Sequence, residues 1–188
     1  MFAATARAAT ALVLICGAVQ AGEQSVDQPY AGQQEREIAS LSEADVAALL
    51  DGQGWGLAKP AELNGYPGPA HVLELGEALD LSEAQRAAIE EIRATMQAEA
   101  RVLGADYVEA ERHLGMMFRM GHAAPEMVDR QLAASGDLLA RLRGVHLKAH
   151  VATRPVLTES QLAEYQRLRG YDEAGHGGHG GHGGHSHD

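Results

Sequence analysis

The chain of 188 residues has little cysteine, few basic residues and no long apolar run. Its single cysteine, Cys16, lies in the N-terminal apolar segment, so a chain cleaved after Ala21 has no disulfide and no thiolate metal site. Lys and Arg number 15 against 26 Asp and Glu, which gives a net charge of −11 at pH 7. This balance argues against nucleic acid as a partner, because phosphate binding needs a surplus of Lys and Arg.

The N-terminal residues 1–21 have the features of a secretory signal peptide. Arg7 precedes the apolar run AATALVLICGAV, and the small-residue site VQA ends at Ala21. The run is too short for a transmembrane helix. A lipoprotein signal would instead modify Cys16, but Ile15 before it is a poor fit for the small residue needed there. We expect cleavage after Ala21 and a periplasmic location in a Gram-negative bacterium, with secretion as the alternative.

The remaining chain predicts an all-α protein with three parts. Residues 22–68 are expected to hold a polar, disordered arm, a short helix and a Gly/Pro-rich loop. Ser42 can cap the short helix, with Asp45 three residues later. The glycines of the loop resemble a nucleotide-binding loop only superficially, because no strand precedes them. Residues 69–171 are expected to form a helical domain, and residues 172–188 a tail.

Two long helices dominate the predicted helical domain. The first is expected from Ser82 to about Met120 and the second from about Pro125 to Thr153, each with apolar residues recurring at threes and fours. The short turn between them makes the pair a long antiparallel hairpin. Short flanking helices are expected on both sides, the first over Ala70–Leu79.

Two similar segments flank this hairpin and begin helices. One reads LSEAQ and the other LTESQ, and each places a hydroxyl residue at the N-cap and a glutamine three positions later, which is a capping box. A hairpin that turns near Ala123 brings both segments to the same, open end. The motif residues are Leu81, Ser82, Gln85, Leu157, Thr158 and Gln161.

The part of the chain from about Leu73 to Tyr171, which contains both segments, resembles the Spy/CpxP family. This family is also called the LTxxQ-motif family of periplasmic proteins. The stretches LDLSEAQRAAIEEIRATMQAEA and RPVLTESQLAEYQRLRGY carry the resemblance. It implies a bent helical hairpin, often paired into a homodimer, and either ATP-independent holding of unfolded proteins or metal-linked sensing of envelope stress. Ser82 stands where the family has threonine, and either hydroxyl caps a helix. The segment Gly52–Pro69 lies outside the resemblance, and we assign it no role.

The tail is the first candidate for metal binding. Imidazole suits Zn, Cu or Ni, and histidines at every third position of a glycine-rich chain can converge on one ion. Ordering such a chain costs entropy, so the affinity is expected to be modest. The alternative is a solvated low-complexity tail with no ligand role. The candidate ligands are His176, His179, His182, His185 and His187.

A second candidate is the pair His146 and His150 on the second long helix. Their spacing of four places both rings on adjacent turns of one face. In the predicted hairpin His150 lies opposite about Met96, with Glu99 as a candidate oxygen ligand. His146 also falls on the apolar stripe, and we favour the alternative that it is a hydrogen-bonded core histidine.

The predicted turn between the long helices is rich in methionine and histidine. His113 and Met117 are four apart, which makes a Cu, Ni or Co site conceivable. Exposed methionines also suit contact with varied hydrophobic clients, and we favour client contact or packing. The residues concerned are His113, Met116, Met117, Met120 and His122.

No catalytic set is apparent, so we expect a protein that is not an enzyme and has no organic cofactor. The expected partners are divalent ions (Zn, Cu or Ni) and either unfolded or misfolded proteins or a membrane stress sensor. Three functions follow: a Spy/CpxP-like protein that binds metal and stress-exposed proteins, a dedicated metal sensor or buffer, and a chaperone with an incidental tail.

Overall fold

The structure, a computed structural model, describes residues 28–171. Residues 33–171 belong to one compact unit and residues 28–32 to a separate one. The predicted signal peptide of residues 1–21 and the tail of residues 172–188 lie outside the described range. The described range holds six α-helices, one 3-10 turn and no strand, which confirms the all-α prediction for these residues. None of these helices has the length and apolar character needed to cross a membrane.

The two long helices have the bounds that the sequence predicts. The first begins after the N-cap Ser82 and reaches its C-cap at Met120, and the second ends where Arg154 precedes Pro155 and a 3-10 turn follows. In chain order the helices are α1 (Glu43–Leu50), α2 (Lys59–Glu62), α3 (Pro69–Glu74), α4 (Glu83–Arg119), α5 (Pro125–Thr153) and α6 (Glu159–Leu168).

Helices α4 and α5 pack along each other and give the molecule two distinct ends. Near the connecting turn, Gln131 Nε2 donates to the carbonyl of Ala110 at 2.7 Å. Near the other end, Gln85 Nε2 donates to the carbonyl of Val156 at 2.9 Å. We call the end with the start of α4 and the end of α5 the base, and residues 116–127 around the turn the tip.

Two apolar clusters hold these helices together. The middle cluster joins α1 and the segment before it to α4 and α5, and consists of Ile38, Leu41, Leu49, Ala100, Leu103, Tyr107, Val108 and Leu142. The base cluster joins α3, α4 and α6, and consists of Val72, Leu79, Ile89, Leu157, Leu162 and Tyr165.

A glycine sets the approach of α1 to α4. A Cβ added at Gly104 would lie 2.2 Å from the carbonyl oxygen of Leu49. Because this is far inside van der Waals contact, the two backbones can meet only where α4 lacks a side chain.

Three local expectations differ from the structure. Helix α3 ends at Glu74 rather than Leu79, because glycine, here Gly76, has a weak helix preference. The Gly/Pro-rich segment contains the one-turn helix α2, with Pro60 in its first turn, where proline is tolerated. Residues 28–34, expected to be disordered, lie mostly in turns.

Candidate functional site

The two LSEAQ and LTESQ segments are bonded to each other at the base. Ser82 and Thr158 each cap a helix, and both capping boxes are complete, as predicted. Gln85 Nε2 donates to Gln161 Oε1 at 2.8 Å, and Gln161 Nε2 donates to Gln85 Oε1 at 3.1 Å. The prediction that both segments lie at the same end is confirmed.

The same two amides also hold the neighbouring backbone. Besides the bond from Gln85 to Val156, Gln161 Nε2 donates to the carbonyl of Leu79 at 3.1 Å. Each glutamine oxygen meanwhile accepts from the backbone N–H of its own N-cap residue. Each glutamine therefore caps the start of its own helix and also hydrogen-bonds to a second segment of the base.

Glu62, in the segment without a predicted role, is a buried carboxylate at the centre of a polar cluster. Its Oε1 accepts from the hydroxyls of Tyr165 at 2.5 Å and Tyr171 at 3.2 Å. Its Oε2 accepts from the backbone N–H of Gly68 at 3.0 Å, and Arg169 Nε lies 3.5 Å from Oε1. We call Glu62, Gly68, Tyr165, Arg169 and Tyr171 the Glu62 cluster. It fastens the segment before α3 to the end of α6.

Burial and the neighbouring carboxylate keep the Tyr165 hydroxyl protonated. Desolvation, followed by the hydrogen bond to Glu62, raises the pKa of Tyr165 far above its usual value. The tyrosine hydroxyl therefore remains a proton donor to Glu62 across the physiological pH range. The arrangement is structural: a buried carboxylate is tolerated because it has several donors and a cation beside it.

His150 faces the Glu62 cluster rather than α4. Its Nδ1 donates to the carbonyl of Tyr66 at 2.7 Å and lies 3.7 Å from Glu62 Oε2. Its side chain is only 12% exposed. The Gly/Pro-rich segment, which was expected to lie outside the helical domain, thus supplies the direct contacts of His150.

His146 is a core residue, as favoured, but its Nε2 has no hydrogen-bond partner. The residue is 2% exposed. Burial, with His150 nearby as a lesser cause, lowers the pKa of His146 and keeps its imidazole neutral. The expectation of a hydrogen-bonded histidine is therefore wrong at Nε2.

Met96 and Glu99, the expected co-ligands, line a different surface. They border an open groove of about 330 Å³ between α4 and α5 with Val145, Lys148 and Ala149. Neither His146 nor His150 lines this groove. The set His150, Met96 and Glu99 is not brought together, because His150 is bonded to Tyr66 and does not reach the groove that Met96 and Glu99 line.

The tip exposes large apolar side chains. Phe118 and Met120 are each 60% exposed, and Met116 and Met127 are 42% and 37% exposed. His113 lies 3.0 Å from a carboxylate oxygen of Glu109 on its own helix. Met117 is partly buried and His122 is exposed. Phe118 and Met120 are thus more exposed than packed, whereas Met116, Met117 and Met127 have the larger part of their surface covered.

No group of three or more His, Cys, Asp or Glu residues between residues 28 and 171 is placed to hold a metal ion. The predicted ligands His176, His179, His182, His185 and His187 lie outside the described residues. Sequence reasoning missed Glu62 and His71, which borders a cleft near His150. The only local signal near Glu62 is the Lys-Pro pair that begins α2.

Comparison with known proteins shows no match for the chain. It matches no protein-family model, no curated protein and no solved structure. The function therefore has to be argued from the residues and geometry described above.

Proposed function

We propose that the protein is an exported, Spy/CpxP-like binding protein that holds unfolded or stress-exposed proteins in the envelope without ATP, and binds divalent metal ions through its tail. In this proposal α4 and α5 form the antiparallel hairpin of that family, with α3 and α6 as its flanking helices. Residues 1–21 act in this proposal as a signal peptide for export to the periplasm, and the protein catalyses no reaction.

The exposed apolar tip is the observation that carries this proposal. Phe118 is the only phenylalanine in residues 28–171, and it lies on the surface. Methionine is flexible and polarisable, so Met116 and Met120 beside it suit clients of varied shape. Neighbouring exposed apolar groups at one end of the molecule support a binding surface there.

The test is suppression of client aggregation by residues 22–188, with no nucleotide present. The chain is expected to reduce light scattering by a chemically unfolded client at a few-fold molar excess. The double change Phe118→Ser and Met120→Ser is expected to abolish most of this protection. Val102→Ser and Val151→Ser are the matched control, because these valines are 63% and 58% exposed but lie outside the tip.

Two results would count against the proposal. Absence of protection at several-fold excess removes the chaperone role. Equal loss in the valine control assigns protection to general surface apolarity and not to the tip. The metal-binding half is tested separately: removal of residues 172–188 is expected to reduce the Zn²⁺ stoichiometry measured by calorimetry.

The histidine-rich tail favours a second candidate, a dedicated heavy-metal sensor or buffer that signals to a membrane partner. Five histidines in the last 13 residues, from His176 onward, are a specific feature with no use in client binding. A sensor is expected to change its oligomeric state or shape on binding Zn²⁺, Cu²⁺ or Ni²⁺, whereas a chaperone with a metal-binding tail is not. Small-angle scattering with and without metal separates the two.

A further inference from the structure

An apolar pocket lies between α1, the segment that precedes α1, and α4. It has a volume of about 450 Å³, within the range of about 300–1,000 Å³ that ligand pockets have. Ile38 and Leu41 form part of its wall and are 3% and 4% exposed. Leu50, at the end of α1, also lines the pocket and is 48% exposed. The pocket therefore opens from the surface onto the edge of the middle cluster, to which Ile38 and Leu41 belong.

Charged side chains surround this apolar lining. Arg112 is already engaged, because it donates to Glu37 Oε1 at 2.9 Å and also to Glu109. Two carboxylates share this one guanidinium, so the three side chains together carry a net negative charge. The charged residues of the lining are Glu35, Arg36, Glu37, Glu43 and Arg112.

The carboxylates of Glu35 and Glu43 are the groups that are free to meet a partner. Both residues are exposed, and neither side chain has a hydrogen bond or ion pair with another residue in the range 28–171. Arg36 is the other cation of the lining, and its charge acts on Asp45: it adds to the hydrogen bonds, first from Ser42, that lower the pKa of that carboxyl. The uncompensated charge at the pocket is therefore negative, which favours positively charged partners.

The pocket is a neighbour of the tip. Arg119, which belongs to the tip, donates from Nη2 to the carbonyl of Glu37 at 3.3 Å. Along α4, Phe118 follows Arg112 by six residues, which is about 9 Å along the helix axis. About three residues of extended chain cover that distance. One stretch of an unfolded protein can therefore contact both the exposed apolar side chains of the tip and the pocket.

We propose that this pocket is a second client-binding surface, which takes an apolar side chain of an unfolded segment that carries lysine or arginine beside it. The apolar side chain packs against Ile38 and Leu50, and the neighbouring cation pairs with Glu35 or Glu43. Opposite charges favour the encounter, and burial of the apolar side chain holds the segment. The inference rests on the proposed holding of unfolded proteins. It adds a second contact surface and a preference for basic segments.

Fluorescence anisotropy with residues 22–188 tests the preferred chemistry. The probe is a labelled peptide of alternating lysine and leucine. Two matched peptides carry glutamate in place of lysine, or serine in place of leucine. The lysine–leucine peptide is expected to bind about tenfold more tightly than either of them. Raising the salt concentration is expected to weaken its binding, because salt screens exposed charges.

Filling the pocket tests where the peptide binds. Ala47 lines the pocket and is exposed, so a larger side chain there is expected to occupy the pocket without displacing the core. Ala47→Trp is expected to weaken binding of the lysine–leucine peptide about tenfold. The matched control is Ala44→Trp, because Ala44 is exposed on the same helix and does not line the pocket.

Removing the free carboxylates tests the charge preference. Glu35→Gln with Glu43→Gln is expected to remove most of the difference in affinity between the lysine–leucine and glutamate–leucine peptides. The control is Glu77→Gln with Glu83→Gln, since these residues are exposed and Glu83, like Glu43, lies in the first turn of its helix. Thermal melts followed by circular dichroism check that each variant keeps its fold.

The outcomes separate this inference from the proposed function. Equal affinity for the glutamate–leucine and lysine–leucine peptides would show a site for any apolar segment and overturn the inference. Unchanged affinity in the Ala47→Trp chain, or equal weakening by Ala44→Trp, would overturn it as well. Loss of peptide binding in the Phe118→Ser, Met120→Ser chain alone would assign the peptide to the tip, which overturns the inference and leaves the proposed function standing. Absence of both peptide binding and client protection would remove both.

Discussion

The base and the tip of the α4–α5 pair differ in which side chains they bury. The base buries and pairs polar groups, whereas the tip exposes apolar ones. At the base, Glu62 is buried and bonded to Tyr165, while Gln85 and Gln161 bond to each other. At the tip, Phe118 and its neighbouring methionines are exposed. Buried polar groups must be paired, and pairing of this kind fixes one geometry. Exposed apolar groups contribute little to stability and remain free to bind another molecule.

The largest expected effect comes from removing the carboxylate at the base. Glu62→Ala leaves the Tyr165 hydroxyl without its acceptor and Arg169 without the carboxylate of its ion pair. It is expected to lower the free energy of unfolding by about 3–5 kcal/mol. Phe118→Ser at the tip is expected to change it by less than about 0.5 kcal/mol. Urea denaturation measures both. The control is Glu91→Ala on the exposed face of α4, and a similar loss there would contradict the special role of Glu62.

The middle of the molecule differs from both ends, because there a close backbone contact holds α1 against α4. Gly104→Ala places a Cβ against the carbonyl of Leu49, and is expected to destabilise the fold by about 3 kcal/mol as α1 shifts away from α4. Gly144→Ala on α5 meets nothing within 4 Å and is expected to stabilise by up to about 1 kcal/mol. Thermal melts of the two variants test this, and shifts of the same sign would refute it.

A smaller effect is expected from the paired glutamines. Gln85→Ala and Gln161→Ala should each cost about 1–2 kcal/mol, and the double variant less than the sum of the two. The double-mutant cycle is measured by urea denaturation. Gln97→Ala, which removes one exposed bond to the carbonyl of Asp51, is the control. Full additivity would mean that the two amides act independently.

The smallest expected effect is a dependence of the stability of the fold on low pH, through a carboxyl group on α1. Hydrogen bonds from the Ser42 hydroxyl, and then from the Trp55 indole, lower the pKa of Asp45 from 3.8 to about 2. Because this carboxyl is more acidic when folded, its stabilisation is present above pH 3.8 and is lost as the pH falls toward 2. Trp55 fluorescence is expected to report this loss in the wild type. Asp45→Asn is expected to remove that part of the pH dependence, and an unchanged profile would refute the assignment.

Local signals made most of the long helices predictable. The capping boxes at Ser82 and Thr158 and the proline after Arg154 act within a few residues, and apolar periodicity acts along a single helix. The structure places each of these features where the sequence predicted it. The buried position of His146 likewise follows from its place on the apolar stripe of α5.

The surroundings of the histidines were not predictable in the same way. The Gly/Pro-rich segment has no periodicity, so nothing in it indicates that Glu62 is buried or that Tyr66 accepts a bond from His150. Both facts depend on how this segment packs against α5 and α6. The expected grouping of His150 with Met96 and Glu99 was wrong for that reason. It was inferred from the two long helices alone, without the segment that packs against α5.

The reciprocal hydrogen bonds between Gln85 and Gln161 restrict the substitutions that the two segments tolerate. A capping box accepts glutamate as readily as glutamine, because it uses only a side-chain oxygen. The cross-bonds also need an N–H on each side chain, and an ionised carboxylate has none. A single Gln→Glu exchange at the base would preserve the start of its own helix. It would also set a carboxylate oxygen against the carbonyl of Val156 or Leu79 and against the amide oxygen of the other glutamine. Serine and threonine both serve as the N-cap at positions 82 and 158, whereas the bonds between the two segments require glutamine at positions 85 and 161.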